Sequence, residues 1–268
     1  MNSLVTNARS RATGLARLPD AVGTLIESRL EAQPELLPWY DLMTDDQSRV
    51  HEGEVHSLES EHFRKAIRYF HAWRIDQLRR RLGDALATAG MLDVGDTDGL
   101  MLKHLGKTGL GFNLSPVAIE NIRSNGIEAE LGDGERMPFD DGTFDAVLCF
   151  ETLEHVPNPE QLLEELARVT ARDGRVFISI PWVPRTFIHP RDPSQPVGHQ
   201  HIIELCRDDF AAVVSHTPLE ITYESVCELF GRPRNGRERV IKLLSHREHI
   251  VAGVFARFQF FELRHRDR

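Results

Sequence analysis

The chain has 268 residues, 41% hydrophobic and 27% charged, with 32 Lys and Arg against 41 Asp and Glu. That is long enough to bury a large core. The net charge of −9 argues against general nucleic-acid binding, which needs a basic face to neutralise phosphate.

The acidic excess is local: residues 1–89 carry 12 basic and 13 acidic groups, 90–181 carry 7 and 17, and 182–268 carry 13 and 11. Cys149, Cys206 and Cys227 form no CxxC pair, which argues against a disulfide framework or a cysteine zinc site and predicts a reducing, cytoplasmic setting. No apolar run approaches the roughly 18 residues of a membrane helix. Residues 251–263 are apolar but broken by Arg257, and the Arg- and Ser-containing start lacks the apolar centre of a secretory signal.

In chain order, residues 1–89 read as a helical arm. A short helix near 20–31 precedes the apolar, aromatic stretch PELLPWYDLM (34–43) and a long amphipathic helix over 58–86 carrying Leu58, Phe63, Ile67, Phe70, Leu78 and Leu82. From Gly90 onward, β-like runs at 91–95, 110–114, 127–131, 144–150 and 175–181 alternate with helical segments at 99–105, from Ser115-Pro116, and over 159–171. This spacing predicts βαβ units and a parallel sheet covered on both faces.

Two helix starts are marked. Ser115 precedes a proline at the first helical position, and Asn158-Pro159 is followed by Gln161 in a capping-box arrangement. The second helix presents Leu162, Leu163, Leu166 and Val169 to the sheet. Pro181, Pro184, Pro190, Pro193 and Pro196 then predict a long irregular loop, of the kind used as a lid or binding loop. A helix near 208–216, a strand near 219–226, a basic stretch at 231–249 and a last strand near 251–263 complete the chain.

Leu92-Asp93-Val94-Gly95-Asp96-Thr97-Asp98-Gly99 is a strand ending in an acid, then a glycine-containing turn into a helix. It is not the G-x-G-x-x-G dinucleotide fingerprint. Gly109-Leu110-Gly111 enters a strand and lacks the third glycine, which disfavours a nicotinamide-dependent reductase.

The order LDVGDTDG, GFNLSP, GDGERMPFDDGTFDAVLCFETLEHV, RDGRVFISIPW resembles the class I S-adenosylmethionine-dependent methyltransferases, in the branch called methyltransferase type 11. The resemblance is dense over residues 88–182 and implies a Rossmann-like, seven-stranded, mostly parallel sheet with its last strand antiparallel. It divides the chain into an N-terminal helical arm (1–89) and a methyltransferase core (90–268) with an acceptor-side loop at 182–205.

It also implies S-adenosylmethionine as cofactor. Asp93 and the Gly95–Gly99 turn would hold its methionine portion, and Asn113 would sit where an acid usually takes the ribose hydroxyls. Asp133, with Gly134, would meet the adenine amino group, and Leu114 and Met137 would wall the adenine. Glu151 through His155 would line the cofactor and open toward the acceptor.

Two positions depart from the pattern. Thr97 replaces the middle glycine, adding a Cβ that disfavours positive φ, and Asn113 cannot receive two charge-assisted bonds. They keep open a second reading, a degenerate methyltransferase fold that serves as a binding or assembly partner.

The leading reading is methyl transfer to a small-molecule acceptor (a metabolite, sugar or lipid-linked precursor) by in-line displacement. His155, His199 and His201 are the candidates for polar contact with the acceptor or general base catalysis. Trp39 and Tyr40 of the arm are expected to cover it. His199 and His201 would point the same way on an extended segment, but no carboxylate or cysteine lies at ligand spacing, so no metal is expected.

The basic stretch with Arg232, Arg234, Arg237, Arg239 and Lys242 lacks interleaved aromatics and reads as a solvated face, so nucleic acid is not an expected partner, and no membrane span is expected. Oligomeric state is not legible. Asp93, Asp96, Asp98, Asp133, Glu135, Glu151 and Glu154 cluster after strands, where a parallel sheet forms its ligand crevice, and predict a cationic ligand.

Overall fold

The computed structural model describes residues 30–42, 61–106, 109–190, 200–228 and 257–267. The basic stretch at 231–249 and nearly all of the expected helix at 20–31 lie outside these residues. The chain divides into two compact units, Met1–Trp73 with Leu229–Ala256, and Arg74–Glu228 with Arg257–Arg268.

In the first unit a short turn at Pro34–Leu36 leads into α1 (Leu37–Leu42). The long helix α2 (Glu61–Leu82) starts here and crosses into the second unit after Trp73. Arg68 donates to the Tyr40 carbonyl at 2.8 Å and lies 4.3 Å from the centre of its ring, while the Tyr69 hydroxyl donates to Gln33 Oε1 at 2.6 Å. The Tyr40 ring is therefore held by a cation, and the side chain of Trp39 lies outside the described residues. The helix ends at Leu82, short of the expected 86, because Gly83 takes φ +53° and a tight turn over Gly83–Ala87 follows.

The second unit contains a seven-stranded sheet in the order β3-β2-β1-β4-β5-β9-β8. The parallel strands are β1 (Met91–Val94), β2 (Leu110–Asn113), β3 (Glu128–Leu131), β4 (Phe144–Phe150) and β5 (Thr170–Pro181). β9 (Arg257–His265) runs antiparallel to both β5 and β8 (Leu219–Glu228), so the last strand is reversed as expected. Helices α3 (Leu100–His104), α4 (Pro116–Ser124), α5 (Pro159–Val169) and α6 (Arg207–Ser215) connect the strands.

Burial explains why these runs became strands. β1 is buried at every position, and Val94, Phe112, Val147, Val176, Ile178 and Phe261 form one core with Leu162, Leu163 and Leu166 of α5. Ser115 caps α4 by accepting from the Ala118 N–H, and Asn158 caps α5 by accepting from the Gln161 N–H. The expected capping box forms only by half: the Asn158 N–H donates to Glu135 Oε1 at 2.6 Å, a side chain from the loop after β3. β5 begins at Thr170 rather than 175, pairing with Phe144 before a register shift.

Between β5 and α6 the expected irregular loop contains a two-stranded ladder of β6 (Phe187–Ile188) and β7 (Ile203–Glu204). Its returning limb docks on the turn Leu153–His155 after β4, with the Ile202 N–H donating to the Glu154 carbonyl at 2.6 Å. Residues 191–199 of this loop, His199 included, lie outside the described residues. Among the described residues no helix is long and apolar enough to cross a membrane.

Candidate functional site

The strand order reverses direction between β1 and β4, and in open α/β sheets the ligand crevice lies at the carboxyl ends of the strands flanking that point. The turn after β1 is tightly stitched. The Gly95 N–H donates to the Phe112 carbonyl at 2.7 Å with φ +83°, and Gly99 takes φ +71°. Asp96 Oδ1 accepts from the N–H groups of Asp98 (3.1 Å) and Gly99 (2.8 Å), and Asp98 Oδ1 accepts from that of Leu100 (2.9 Å).

Thr97 is exposed, and the only described non-glycine residue at positive φ is Glu151, so the strain expected at Thr97 does not arise. Asn113 is tied down at both ends of its amide. Nδ2 donates to the Asp96 carbonyl at 2.7 Å and Oδ1 accepts the Ser115 N–H at 2.8 Å. An ionised acid at this position could not donate to the Asp96 carbonyl.

Of the acids expected to cluster after the strands, those of the first turn are withdrawn from solvent. Asp93, Asp96 and Asp98 are all buried. Burial, then repulsion from Asp96, raises the Asp93 carboxyl well above the usual range, with Arg74 opposing. Burial and Asp98 push Asp96 up to about 7 against the pull of backbone N–H donors.

The pH consequence has a definite sign. The Asp96 carboxyl of the folded chain holds its proton where the unfolded chain, near pKa 4, has lost it. Its contribution to stability is full below pH ~4 and disappears as pH rises through about 7. We therefore expect the melting temperature of the ligand-free protein to fall by about 5 °C or more between pH 5 and pH 8. Asp96→Asn should lessen that slope in thermal melts, while Asp93, Glu151 and Glu154, also raised by burial, keep part of it; parallel slopes for the two proteins would refute the assignment. Glu204 and Glu165, held below the usual range by His201 and Arg168, are already ionised throughout and add no slope.

Leu114 and Leu131 are 55% and 51% exposed at the carboxyl ends of β2 and β3, an apolar surface left facing water. Asp133 is exposed beside them, its Oδ1 accepting the Glu135 N–H at 2.9 Å, and a Cβ at Gly134 would stand 3.1 Å from Leu162. Met137, expected as an adenine wall, is buried and packs in the core cluster.

At the end of β4, Glu151 adopts φ +48°, a conformation costing about 1 kcal/mol or more for a residue with a Cβ. It is held there by Ser179: the Glu151 N–H donates to the Ser179 carbonyl at 3.0 Å, and Ser179 Oγ donates to Glu151 Oε1 at 2.8 Å. Buried Arg74 donates to the same Oγ at 3.4 Å and feels Glu151 and Asp93 together, so one cation serves two crevice acids. Nothing in the local sequence marks Arg74 or Ser179 as site residues; only the fold brings them here.

His155 and His201 come together, ring centres 4.9 Å apart and nearly perpendicular. His155 Nδ1 lies 2.9 Å from the Gln200 carbonyl and His201 Nδ1 lies 2.5 Å from Glu204 Oε1. Glu154, 3% exposed, joins them, with one carboxylate oxygen and one nitrogen of each imidazole all within 4.8 Å of one another. Glu154 and Glu204 thus lie beside these rings, where the sequence alone offered no carboxylate at ligand spacing for His199 and His201.

Exposed Leu114, Leu131 and Asp133 and a buried acidic turn whose Asp96 Oδ2 has no hydrogen-bond partner thus lie at the carboxyl ends of the strands. Residues 92–178 match the family described as methyltransferase domain. The chain is 33% identical over 116 residues to the ubiquinone biosynthesis O-methyltransferase of Xanthomonas oryzae pv. oryzae, covering 40% of this chain and 48% of that one. It is 28% identical over 124 residues to the chloroplastic tocopherol O-methyltransferase of Arabidopsis thaliana, covering 42% and 35%.

The chain thus spans about half or less of the length of these relatives. Its fold is similar to that of geranyl diphosphate C-methyltransferase from Streptomyces coelicolor, with a TM-score of 0.53, 15% identity and coverage of 80% and 88%. Residues 92–178 thus match a methyltransferase domain, and the sheet that carries them has the fold of a methyltransferase.

Proposed function

We propose that this chain transfers a methyl group from S-adenosylmethionine to a hydroxyl group of a small molecule. The observation that carries the reading is the acidic crevice at the β1–β4 switch point, with Asp93 and Asp96 buried beneath a glycine turn and an apolar nucleotide face open beside Asp133. The hydroxyl acceptor is supported by the O-methyltransferase names of the relatives.

Bound S-adenosylmethionine supplies a methyl carbon already activated on a sulfonium, so the protein's task is alignment and exclusion of water. Asp93 and the turn Gly95-Asp96-Thr97-Asp98-Gly99 would hold the methionine portion, their negative field favouring the sulfonium and ammonium. Asn113 has one remaining Oδ1 lone pair to offer the ribose. Leu114 would lie against the adenine, and Asp133 with Gly134 would meet its amino edge. Glu151 would stand between cofactor and acceptor, and His155 and His201, with His199 from the same loop, would meet the acceptor's hydroxyl.

A second reading, a degenerate fold that binds without catalysis, is favoured by one observation: both ends of the Asn113 amide are bonded within the protein. Calorimetric titration separates the two. S-adenosylmethionine should bind, and Asp93→Asn should weaken it about tenfold or more, each tenfold being 1.4 kcal/mol. Silence at about 1 mM ligand would favour the second reading. His201→Ala should lower turnover with a phenolic acceptor about tenfold or more while leaving cofactor affinity in place.

A further inference from the structure

We propose that Glu154, His155 and His201 form a pocket for a primary ammonium group carried by the methyl acceptor, which makes the acceptor an amino alcohol or aminophenol methylated on oxygen. The pocket stands on geometry; its place in methyl transfer rests on the reading above.

The three side chains come from two segments that the fold clamps together. Glu154 and His155 occupy the turn after β4, and His201 sits on the limb entering β7. The Ile202 N–H to Glu154 carbonyl bond and the contact of His155 Nδ1 with the Gln200 carbonyl fix one segment against the other. One carboxylate oxygen of Glu154 and one nitrogen of each imidazole lie within 4.8 Å of one another. A nitrogen about 2.9 Å from each of three acceptors, at tetrahedral angles, sets them about 4.7 Å apart. One ammonium can therefore reach all three.

With Glu154 ionised, each group in the set accepts. Glu154 is 3% exposed and its Oε2 has no hydrogen-bond partner, a costly state for a buried carboxylate oxygen. A carbonyl oxygen only accepts, so His155 carries its proton on Nδ1 and has Nε2 as its acceptor. The Glu204 carboxylate, 2.5 Å from His201 Nδ1, sets the same tautomer in that ring. Three converging acceptors call for a group with three N–H donors and no lone pair, which is a primary ammonium. The side chain of His201 is 41% exposed and gives the way in.

The surrounding charge favours a cation. Glu154 faces Glu151 and the Cys149 thiol at the end of β4, Arg74 of α2, Glu204 of β7 and the two imidazoles. Burial keeps the Cys149 thiol protonated, and Arg74 is already shared between Glu151 and Asp93. Burial, then repulsion from Glu151, raises the Glu154 carboxyl well above the usual range. An incoming ammonium takes the place of the Glu154 proton, which leaves to water, so its affinity rises with pH.

The same contacts select the atom that is methylated. An ammonium nitrogen has no lone pair and cannot attack a sulfonium, whereas the neighbouring hydroxyl oxygen can. In a vicinal amino alcohol the two groups are close enough for one pair of imidazoles to border both. The C–O bond forms as the S–C bond breaks, the electron pair stays on sulfur, and the hydroxyl proton passes to an imidazole of the pair.

The test is a titration of the full chain, its histidines labelled with nitrogen-15, with propylammonium chloride, followed by nuclear magnetic resonance. The His155 and His201 signals are assigned from His155→Gln and His201→Ala variants. We expect both Nε2 signals to move saturably with a midpoint of about 1–10 mM. The midpoint should fall by up to about tenfold per pH unit between about pH 6 and pH 8. Propanol, which has no charge, and trimethylpropylammonium, which has no N–H, should leave both signals in place. Glu154→Gln should weaken propylammonium about tenfold or more, as should His201→Ala read at His155. Circular dichroism establishes that each variant is folded.

No saturable movement at about 100 mM, an equal response to either control compound, or an affinity unchanged in both variants would overturn the pocket. In turnover, ortho-aminomethylphenol should be methylated on oxygen about tenfold faster than ortho-ethylphenol; parity or the reverse would remove the acceptor role. Titration of S-adenosylmethionine into the same samples keeps the two proposals apart. Ammonium binding without cofactor binding removes the methyl-transfer reading and leaves the pocket, whereas the converse removes the pocket alone.

Discussion

Gly95→Ala is expected to lower the melting temperature by about 10 °C and to abolish measurable cofactor binding. The new Cβ would stand 2.0 Å from Thr152 Oγ1, 2.6 Å from its Cγ2 and 2.8 Å from its Cβ. Thr152 has little freedom to give way, because its hydroxyl lies 3.0 Å from the Phe150 carbonyl and 3.3 Å from that of Val94. Overpacking of this kind costs about 1–3 kcal/mol. The φ of +83° adds about 1–2 kcal/mol for any residue with a Cβ.

The two contributions can be separated. In Gly95→Ala/Thr152→Ala only the 2.8 Å contact with the residue-152 Cβ remains, so the double variant should regain about half of the lost stability. A Gly95→Ala protein that melts with the parent, or a double variant no better than the single, would show that Thr152 does not close the turn.

Glu262→Ala should cost about 3 kcal/mol, or 5–10 °C in melting temperature, without touching the crevice. Glu262 lies fully buried in β9 and is the common anion for three guanidinium groups. Arg81 bonds it at 2.5 Å, Arg264 at 2.8 Å, and Arg175 approaches to 3.9 Å. Arg81 also lies 4.4 Å from the Tyr223 ring centre, and Arg175 donates to the Arg81 carbonyl, so this cluster fixes the end of α2 on the sheet.

The arginines are 22–40% exposed, which places the expected cost at the lower end of the range for a broken buried pair. Removing the anion leaves three cations in mutual repulsion. Arg175→Met added to Glu262→Ala should therefore restore part of the loss, a non-additivity that a cycle of melts measures directly. Strict additivity would mean that the arginines do not share Glu262.

How much was legible in advance follows the range of the interactions. FDAVLCF became β4 over the same residues, and Ser115-Pro116 capped α4 as read, because strand burial and N-caps are settled within a few residues. Gln161 did not close its capping box because Glu135, 23 positions away, reached the Asn158 N–H instead. Thr97 looked unfavourable when judged against a glycine pattern; the side chains of Asp96 and Asp98 bond the turn in another way.

The sequence by itself determined the parallel core, the acidic turn after its first strand and the sign of the charge around the crevice, since periodicity, turn chemistry and composition are local properties. Tertiary structure decided which groups meet. His155 reaches the Gln200 carbonyl across 45 positions, Arg74 reaches Ser179 across 105, and Arg81 reaches Glu262 across 181.

It also decided protonation. Asp96 looks like any aspartate in the chain, and only its burial beside Asp98 pushes it up to about 7. Such properties depend on what the closed fold excludes, water above all, and no stretch of residues read alone carries that information.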